Sequence, residues 1–192
     1  MKLLFYKLVR PLIKFLTFIL FRPKYIGREN IPKNGKFIFA GNHTYGLDCV
    51  LLISSTRRVV RFFAKKELLQ GFKGWIFKAM GIIPVNRSIH DKTSLLKGKE
   101  VLENNGVIGI FPEGTINWTK KTILPFKIGA VKMSHDIKAP IVPFVIKGKY
   151  KVFNNNLSIE FLKPYVVKKD DLDMENDKLM NIIKKGLETN YD

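Results

Sequence analysis

The 192-residue chain has a single cysteine, Cys49, and only 16 acidic residues against 34 basic ones. One cysteine excludes an intramolecular disulfide and a cysteine-based zinc site, and it fits a reducing compartment. The shortage of acids leaves a formal net charge of +18, which calls for an anionic partner such as nucleic acid, an anionic membrane surface or a phosphorylated ligand. There is no internal repeat and no low-complexity tract. The 46% hydrophobic content therefore suits one compact domain with a real core.

The first 28 residues contain seven basic residues and no acid, and the positions between them are mostly leucine, isoleucine and phenylalanine. Polar positions recur every three or four residues, so one face of a helix would carry Lys7, Arg10, Lys14 and Thr17. Such a helix is typical of a membrane interface, where Lys and Arg reach toward the headgroups. Pro11 is expected to kink the segment or to begin a second helix. We expect residues 1–24 to form a membrane-interacting helical segment, followed by a domain over residues 25–192.

Two other roles are open to this N-terminal segment. A helix that covers the core of the domain itself would show a similar pattern. A secretory signal peptide is disfavoured, because Arg22 and Pro23 occupy the place of the small residues that cleavage requires. The charge-free runs fall far below the roughly 20 residues that span a bilayer, so a peripheral or monotopic association is expected.

A connector rich in turn residues is expected over 23–36, and apolar runs then alternate with helical patterns. Strands are expected over 37–40, 59–64, 82–85, 107–111 and 141–146, with a hairpin over 150–153 and 157–162. Helices are expected over 72–80, 91–105, 129–136 and 174–188. The apolar run 49–53 fits either type of element. This alternation predicts an α/β fold with a mixed β-sheet flanked by helices.

One corner after a predicted strand combines a histidine with an aspartate. His43 and Asp48 lie five residues apart, between the strand 37–40 and the apolar run 49–53. Five residues turn through roughly 500° of helix, so the side chains can meet only if His43 lies on the loop and Asp48 in the first helical turn. There Asp48 would accept the Nδ1–H of His43 and leave Nε2 as a free base. From this spacing alone, a polar loop with an aspartate that starts a helix is the simpler interpretation.

Four blocks, taken in order, resemble the glycerolipid acyltransferase family typified by 1-acylglycerol-3-phosphate acyltransferase. The first block, 42–48, resembles Asn-His-x-Ser-x-x-Asp, and the third, 111–115, resembles the start of Phe-Pro-Glu-Gly-Thr-Arg. The second, 81–87, reads as a short strand that ends in arginine, and the fourth, 139–144, carries paired prolines. The resemblance covers residues 25–165. Because the polar motifs follow predicted strands, we expect elements that are distant in sequence to converge on one edge of the sheet.

The resemblance implies acyl transfer from an acyl-CoA or acyl-carrier-protein thioester to a hydroxyl of a lysophospholipid. The first candidate acceptor is 1-acyl-sn-glycerol-3-phosphate, which would give phosphatidic acid. His43 would be the general base, and Asp48 would fix its tautomer and stabilise the imidazolium. This chemistry needs no metal and no cofactor besides the thioester co-substrate.

Further residues of the blocks would bind the substrates. Arg87 and the backbone of Gly114 and Thr115 would hold the phosphate of the acceptor. Glu113 would place the acceptor, either by binding a glycerol hydroxyl or by orienting Arg87. The tetrahedral oxyanion needs donors, and the candidates are backbone N–H groups of the 43–48 corner and the side chain of Lys65.

Two positions depart from the family pattern. Tyr45 stands where the first block usually has serine, and Ile116 stands where the third block usually has arginine. Losing that arginine removes one phosphate partner, which makes a different lysophospholipid or a non-phosphorylated alcohol a more plausible acceptor. Three lysines after this block are candidates to replace it, namely Lys120, Lys121 and Lys127.

The expected partners are an anionic membrane surface, the lysophospholipid acceptor, and acyl-CoA or acyl-carrier protein, at the cytoplasmic face of the cell membrane. A non-catalytic protein that binds anionic lipid or nucleic acid would also explain the charge of +18. It would not explain why His43, Asp48, Arg87 and Glu113 gather at the ends of predicted strands. Nucleic acid is therefore not expected as a partner.

Overall fold

A seven-stranded sheet forms the centre of the computed structural model, which describes residues 4–86, 91–168 and 170–189. Its strands are β1 (Lys24–Ile26), β2 (Phe37–Gly41), β3 (Val60–Lys65), β4 (Ile83–Val85), β5 (Val107–Ile110), β6 (Ile141–Lys147) and β7 (Ser158–Phe161). Their order across the sheet is β1-β7-β6-β2-β5-β3-β4. Neighbouring strands run parallel, except that β6 and β7 are antiparallel. The predicted mixed sheet is therefore confirmed.

Helices cover both faces of this sheet, which confirms the predicted α/β class. They are α1 (Leu4–Phe21), α2 (Asp48–Ser55), α3 (Gly71–Ala79), α4 (Lys92–Glu103), α5 (Gly129–Ile137) and α6 (Leu172–Glu188). Short 3-10 turns lie at Arg28–Asn30 and Lys66–Leu69. The apolar run 49–53, which fitted a helix or a strand, belongs to α2.

Strand β2 shows how the sheet is buried on both sides. Phe37 and Phe39 pack in a cluster with residues of α1 and α2, whereas Ile38 and Ala40 pack with residues of α4, α5 and α6. All four side chains are fully buried, as expected when successive side chains of a covered central strand point to opposite faces. The polar residues that follow β2 therefore emerge from the middle of the core.

The hairpin expected over 150–153 and 157–162 is wrong. Residues 150–153 form no strand, and β7 pairs antiparallel with β6 instead. One edge of β6 is paired with β2, so its other edge needs a partner, and the apolar run of β7 supplies it. Gly148, at φ +87°, turns the chain out of β6. The residues that follow it form a loop between β6 and β7, and this loop reaches the site described below.

Helix α1 packs against the domain with one face and exposes the other. Tyr6 and Thr17 are buried, and the Tyr6 hydroxyl accepts a hydrogen bond from the Val60 N–H at 3.2 Å. Arg10 donates to the Thr56 carbonyl at 3.0 Å. Arg10 and Thr17, which were expected on the helix face that reaches toward lipid headgroups, are therefore turned toward the domain. The opposite face is apolar and exposed, and it includes Leu4, Leu8, Leu12, Phe15 and Phe18.

Helix α1 runs through Pro11, so no second helix begins there. The proline removes the amide that would bond to the Lys7 carbonyl, and Lys7 is exposed. Within the described residues, no helix is long and apolar enough to cross a membrane. Strand β1 begins at Lys24, inside the stretch expected as a connector, and pairs with β7.

Candidate active site

The first and third sequence blocks lie side by side at one edge of the sheet. Strands β2 and β5 are parallel neighbours, with Ala40 paired to Ile110, and they end almost together. The chain leaves β2 into residues 42–48 and leaves β5 into residues 111–115. The carboxyl ends of adjacent parallel strands are where reacting groups are displayed in α/β proteins.

Asn42 anchors the corner after β2 to the neighbouring strand. Its buried side-chain amide donates to the Ile146 carbonyl at 3.0 Å, and its oxygen accepts from the Ile146 N–H at 2.8 Å. Both backbone groups of one β6 residue are thus satisfied by one side chain. This bond pattern fixes the position at which the next residue, His43, leaves the sheet.

His43 lies on the loop, and Asp48 is the first residue of α2, as the spacing requires if they are to meet. His43 Nδ1 lies 2.8 Å from Asp48 Oδ2. Because a carboxylate only accepts, the hydrogen is on Nδ1, and in the neutral imidazole Nε2 carries the lone pair. Phe111 stacks on the imidazole at 4.1 Å between ring centroids. The ring is held in one tautomer and one plane.

The Asp48 carboxylate is fully buried, and both of its oxygens accept more than one hydrogen bond. Oδ2 accepts from His43, from the Thr44 N–H at 2.6 Å and from the Tyr45 N–H at 2.8 Å. Oδ1 accepts from the Thr44 hydroxyl at 3.1 Å and from the Tyr150 hydroxyl at 2.6 Å. These donors replace the water that a buried carboxylate loses.

Glu113 ties the third block to the first. Its Oε1 accepts from the His43 N–H and its Oε2 accepts from the Leu124 N–H, both at 2.8 Å. The side chain is only 5% exposed, and burial raises the pKa of its carboxyl above the ordinary value. Glu113 therefore positions the backbone of His43, a contact that sequence reasoning did not anticipate.

The expected oxyanion donors of the corner are already engaged. The N–H groups of His43, Thr44 and Tyr45 all donate to carboxylates. The expectation that these N–H groups stabilise an oxyanion is therefore wrong for the corner's first three positions. The N–H of Gly114 is likewise taken up, because it donates to the Phe111 carbonyl at 2.9 Å.

A cavity of about 710 Å³ opens beside His43. Its wall is largely apolar and includes Phe63, Leu95, Ile110, Phe111 and Ile128. The volume lies within the range typical of small-molecule sites, roughly 300–1,000 Å³. No group of three or more His, Cys, Asp or Glu side chains is arranged to hold a metal ion within the described residues. The arrangement offers a base at the edge of an apolar chamber.

Lys127 is the one lysine or arginine along the described wall of this cavity, and it also lies close to Gly114. A Cβ added to Gly114, at φ +70°, would come within 3.0 Å of the Lys127 ammonium nitrogen. Glycine at that position lets the lysine approach the third block. Lys120 and Lys121 are exposed and do not line the cavity. Of the three lysines considered as substitutes for an arginine at 116, the structure brings only Lys127 to the site.

The remaining predicted site residues are less closely placed. Thr115 and Lys65 are exposed and are not among the cavity residues, although Lys65 ends β3 directly after the cavity residue Ala64. Arg87, the predicted phosphate ligand, lies outside the described residues. Ile116 and Asn117 continue into a loop whose Asn117 N–H donates to the His43 carbonyl at 2.8 Å.

Tyr150 is the site residue that sequence reasoning missed. Its hydroxyl donates to Asp48 Oδ1, and its ring stacks on Tyr45 with a centroid distance of 5.3 Å. Trp118, which is 72% exposed, makes an edge-to-face contact with Tyr45 at 6.2 Å between ring centroids. No signal in the sequence placed Tyr150 here, because 102 residues separate it from Asp48 and its surroundings resembled a strand.

Comparisons with known proteins agree with this geometry. The sequence model of the family described as Acyltransferase matches residues 22–147. The 1-acyl-sn-glycerol-3-phosphate acyltransferase of Saccharomyces cerevisiae is 35% identical over 154 residues, which cover 73% of this chain and 50% of that protein. The protein of the same description from Borreliella burgdorferi is 34% identical over 142 residues, with 69% and 56% covered. The chain thus spans about half the length of these relatives.

A solved structure shares the fold. The crystal structure of the 1-acyl-sn-glycerophosphate (LPA) acyltransferase PlsC from Thermotoga maritima matches with a TM-score of 0.76, over 96% of this chain and 81% of that chain. The sequences are 22% identical. The likeness therefore extends the agreement from the sequence blocks to the architecture of the sheet and its helices.

Proposed function

We propose, because this chain belongs to the acyltransferase family, that it transfers a fatty acyl group from an acyl-CoA or acyl-carrier-protein thioester to the free hydroxyl of a lysophospholipid. The first candidate acceptor is 1-acyl-sn-glycerol-3-phosphate, with phosphatidic acid as the product. The relatives from yeast and Borreliella carry that acceptor in their descriptions. The observation that carries the proposal is the His43–Asp48 pair at the rim of the apolar cavity.

In this mechanism His43 acts through Nε2. It takes the proton of the acceptor hydroxyl as the oxygen attacks the thioester carbonyl, and it returns the proton to the departing thiolate. Asp48 holds the Nδ1–H tautomer and stabilises the imidazolium that forms between these steps. Cys49 does not compete as a nucleophile, because burial raises the pKa of its thiol to about 12. The acyl group therefore passes directly from donor to acceptor.

The cavity suits an acyl chain next to an anionic headgroup. Its apolar wall offers contact for hydrocarbon, and Lys127 supplies a positive charge near the third block. Arg87 and the Gly114–Thr115 backbone remain the proposed ligands of the acceptor phosphate. Lys65 remains a proposed oxyanion donor, and Glu113 remains proposed to place the acceptor. Each charge-assisted hydrogen bond to a phosphate contributes about 1.5–3 kcal/mol.

A different acceptor is the second candidate, and two replacements favour it. Ile116 replaces the arginine of the family pattern, and Tyr45 replaces the serine. The Tyr45 ring stacks on Tyr150 and makes an edge-to-face contact with the exposed Trp118. An aromatic group beside the His43–Asp48 corner, together with one fewer cation, suits an acceptor with a zwitterionic or uncharged headgroup better than it suits a phosphate monoester. A panel of acceptors separates the two candidates.

The proposed place of action is the cytoplasmic surface of the cell membrane, with peripheral attachment through α1. The exposed apolar face of α1 gives it hydrocarbon to bury, and the charge of +18 favours an anionic leaflet. Each basic residue near such a surface adds about 1 kcal/mol. Attachment there would place the cavity where lysophospholipids partition.

The test measures acceptor-dependent release of thiol from one acyl-CoA and one acyl-carrier protein. The acceptors are 1-acyl-sn-glycerol-3-phosphate, lysophospholipids with choline, ethanolamine and glycerol headgroups, and a long-chain alcohol. We expect His43→Ala to lower kcat at least about 100-fold. The matched control is His135→Ala, since His135 also bonds a carboxylate, that of Asp170 at 3.0 Å, but lies outside the cavity.

Two results would contradict the proposal. One is full activity of a correctly folded His43→Ala variant. The other is a wild-type protein that is inactive with every acceptor and instead binds duplex DNA with an affinity that falls steeply with salt.

A further inference from the structure

We infer that Tyr150 is a positioning residue, which holds the Asp48 carboxylate in the orientation that His43 requires. This inference rests on the proposed function. Tyr150 Oη donates to Asp48 Oδ1 at 2.6 Å, and this bond is shorter than the 3.1 Å bond from the Thr44 hydroxyl to the same oxygen. The other donors to Asp48 come from the corner itself, whereas Tyr150 comes from the loop between β6 and β7.

The two oxygens of Asp48 have different neighbours. Oδ2 faces His43 and two N–H groups that move with the corner loop. Oδ1 faces Thr44 and Tyr150. The terminal torsion of an aspartate is broad and roughly two-fold, so the donors around the carboxylate decide how it is rotated. Tyr150 is the donor that comes from outside the corner, and it therefore ties the carboxylate to α1 and to the loop between β6 and β7.

Tyr150 is itself held on three sides. Its ring stacks on Tyr45 and meets the edge of Phe21, the last residue of α1, at 5.4 Å. The loop that carries it is attached to α1 again, because the Phe153 N–H donates to the Leu20 carbonyl at 2.7 Å. Burial, together with the negative charge of Asp48, raises the pKa of Tyr150, so its hydroxyl keeps its hydrogen and stays a donor.

The kinetic test replaces Tyr150 by phenylalanine, which keeps the ring and its packing and removes only the hydroxyl. We expect Tyr150→Phe to lower kcat about 10- to 100-fold, as a lost hydrogen bond to a charged group implies, and to change KM by less than about twofold. The matched control is Tyr25→Phe. The Tyr25 hydroxyl bonds the Ser54 hydroxyl at 2.7 Å, near the other end of α2. Tyr25→Phe should leave kcat within about twofold of wild type.

A double-mutant cycle separates positioning from general support of the fold. If Tyr150 acts through Asp48, Tyr150→Phe should add little to the loss in an Asp48→Asn background. A loss of the same factor in both backgrounds would overturn the inference. So would equal effects of Tyr150→Phe and Tyr25→Phe on kcat at matched melting temperatures.

A second readout does not depend on turnover. The proton resonance of the His43 Nδ1–H, assigned by its absence in His43→Ala, reports the bond to Asp48. We expect Tyr150→Phe to shift this resonance or to lose it to exchange with water, while Tyr25→Phe leaves it in place. An unchanged resonance in Tyr150→Phe would overturn the inference, whether or not the protein is active. Inactivity of the wild-type protein with every acceptor would count against the proposed function and not against the inference.

Discussion

Replacing Glu113 by glutamine tests whether this residue holds His43 or binds the acceptor. The two carboxylate oxygens accept from the N–H groups of His43 and Leu124. Glutamine keeps one oxygen and turns an NH₂ group toward the other N–H, so one bond is lost and one buried donor is left unpaired. With the site only 5% exposed, this costs about 2 kcal/mol. For a chain of this size, that lowers the melting temperature by about 4–8 °C.

The assay combines thermal unfolding with steady-state kinetics for Glu113→Gln and for the control Glu103→Gln, an exposed carboxylate on α4. We expect Glu113→Gln to lose stability and to lower kcat, because the backbone of His43 is no longer fixed. The control should match wild type in both respects. A variant with an unchanged melting temperature and kcat but a raised acceptor KM would refute this reasoning and restore the acceptor-binding role.

The pH dependence of stability gives Glu113 a second signature. Burial raises the pKa of its carboxyl in the folded protein above the ordinary value of 4.5, so the native state holds the proton more tightly than the unfolded state. The stability contributed by this group is therefore complete below pH 4.5 and declines as pH rises through the folded pKa. In urea unfolding, the advantage of wild type over Glu113→Gln should shrink from acidic to neutral pH. A stability difference between wild type and Glu113→Gln that grows with pH would contradict the raised pKa of Glu113.

Two further predictions concern substrate and membrane binding. Lys127→Met should raise the acceptor KM about tenfold or more while kcat changes little. The control Lys121→Met, outside the cavity, should change neither KM nor kcat. A fall in kcat with an unchanged KM would contradict this role and would indicate that Lys127 is an oxyanion donor. The double variant Leu8→Glu/Leu12→Glu should bind anionic vesicles at least about tenfold more weakly in a co-sedimentation assay. Each leucine that is no longer buried in the membrane costs about 1 kcal/mol or more of binding free energy. The control is Leu96→Glu, an equally exposed leucine on α4, and equal losses from both variants would contradict a docking role for α1.

The features that depend on neighbours in sequence were predictable. Apolar runs bounded by turn residues marked the central strands, because a strand buried on both faces has little choice of composition. The spacing of His43 and Asp48 led to a loop and a first helical turn, and the structure has that arrangement. In each case the relevant contacts lie within a few residues, so the geometry of one element decides them.

The features that depend on distant contacts were not predictable. The run Tyr150–Phe153 has the aromatic and β-branched residues of a strand, but the second edge of β6 is paired with β7. The half-buried ring of Tyr150 packs against Tyr45 and Phe21 instead. Likewise, nothing near Glu113 in sequence shows that its oxygens will meet His43 and Leu124. The secondary-structure propensity of a segment indicates which conformations it tolerates, and tertiary contacts determine which of these conformations it adopts.

The contacts divide the family blocks into residues that do chemistry and residues that build the corner. The side chain of Asn42 bonds both backbone groups of Ile146 in β6, and the Glu113 carboxylate accepts from the N–H groups of His43 and Leu124. Asp48 accepts hydrogen bonds from five donors. His43 Nε2 has no hydrogen-bond partner among the residues that the structure describes, and it is therefore available to act as the base. Acceptor choice must then come from side chains that this hydrogen-bond network does not use, and the side chain of Tyr45, whose backbone N–H alone donates to Asp48, is one of them. Exchanging Tyr45 for serine and Ile116 for arginine should therefore move acceptor preference toward the phosphate monoester while leaving the His43–Asp48 bond in place.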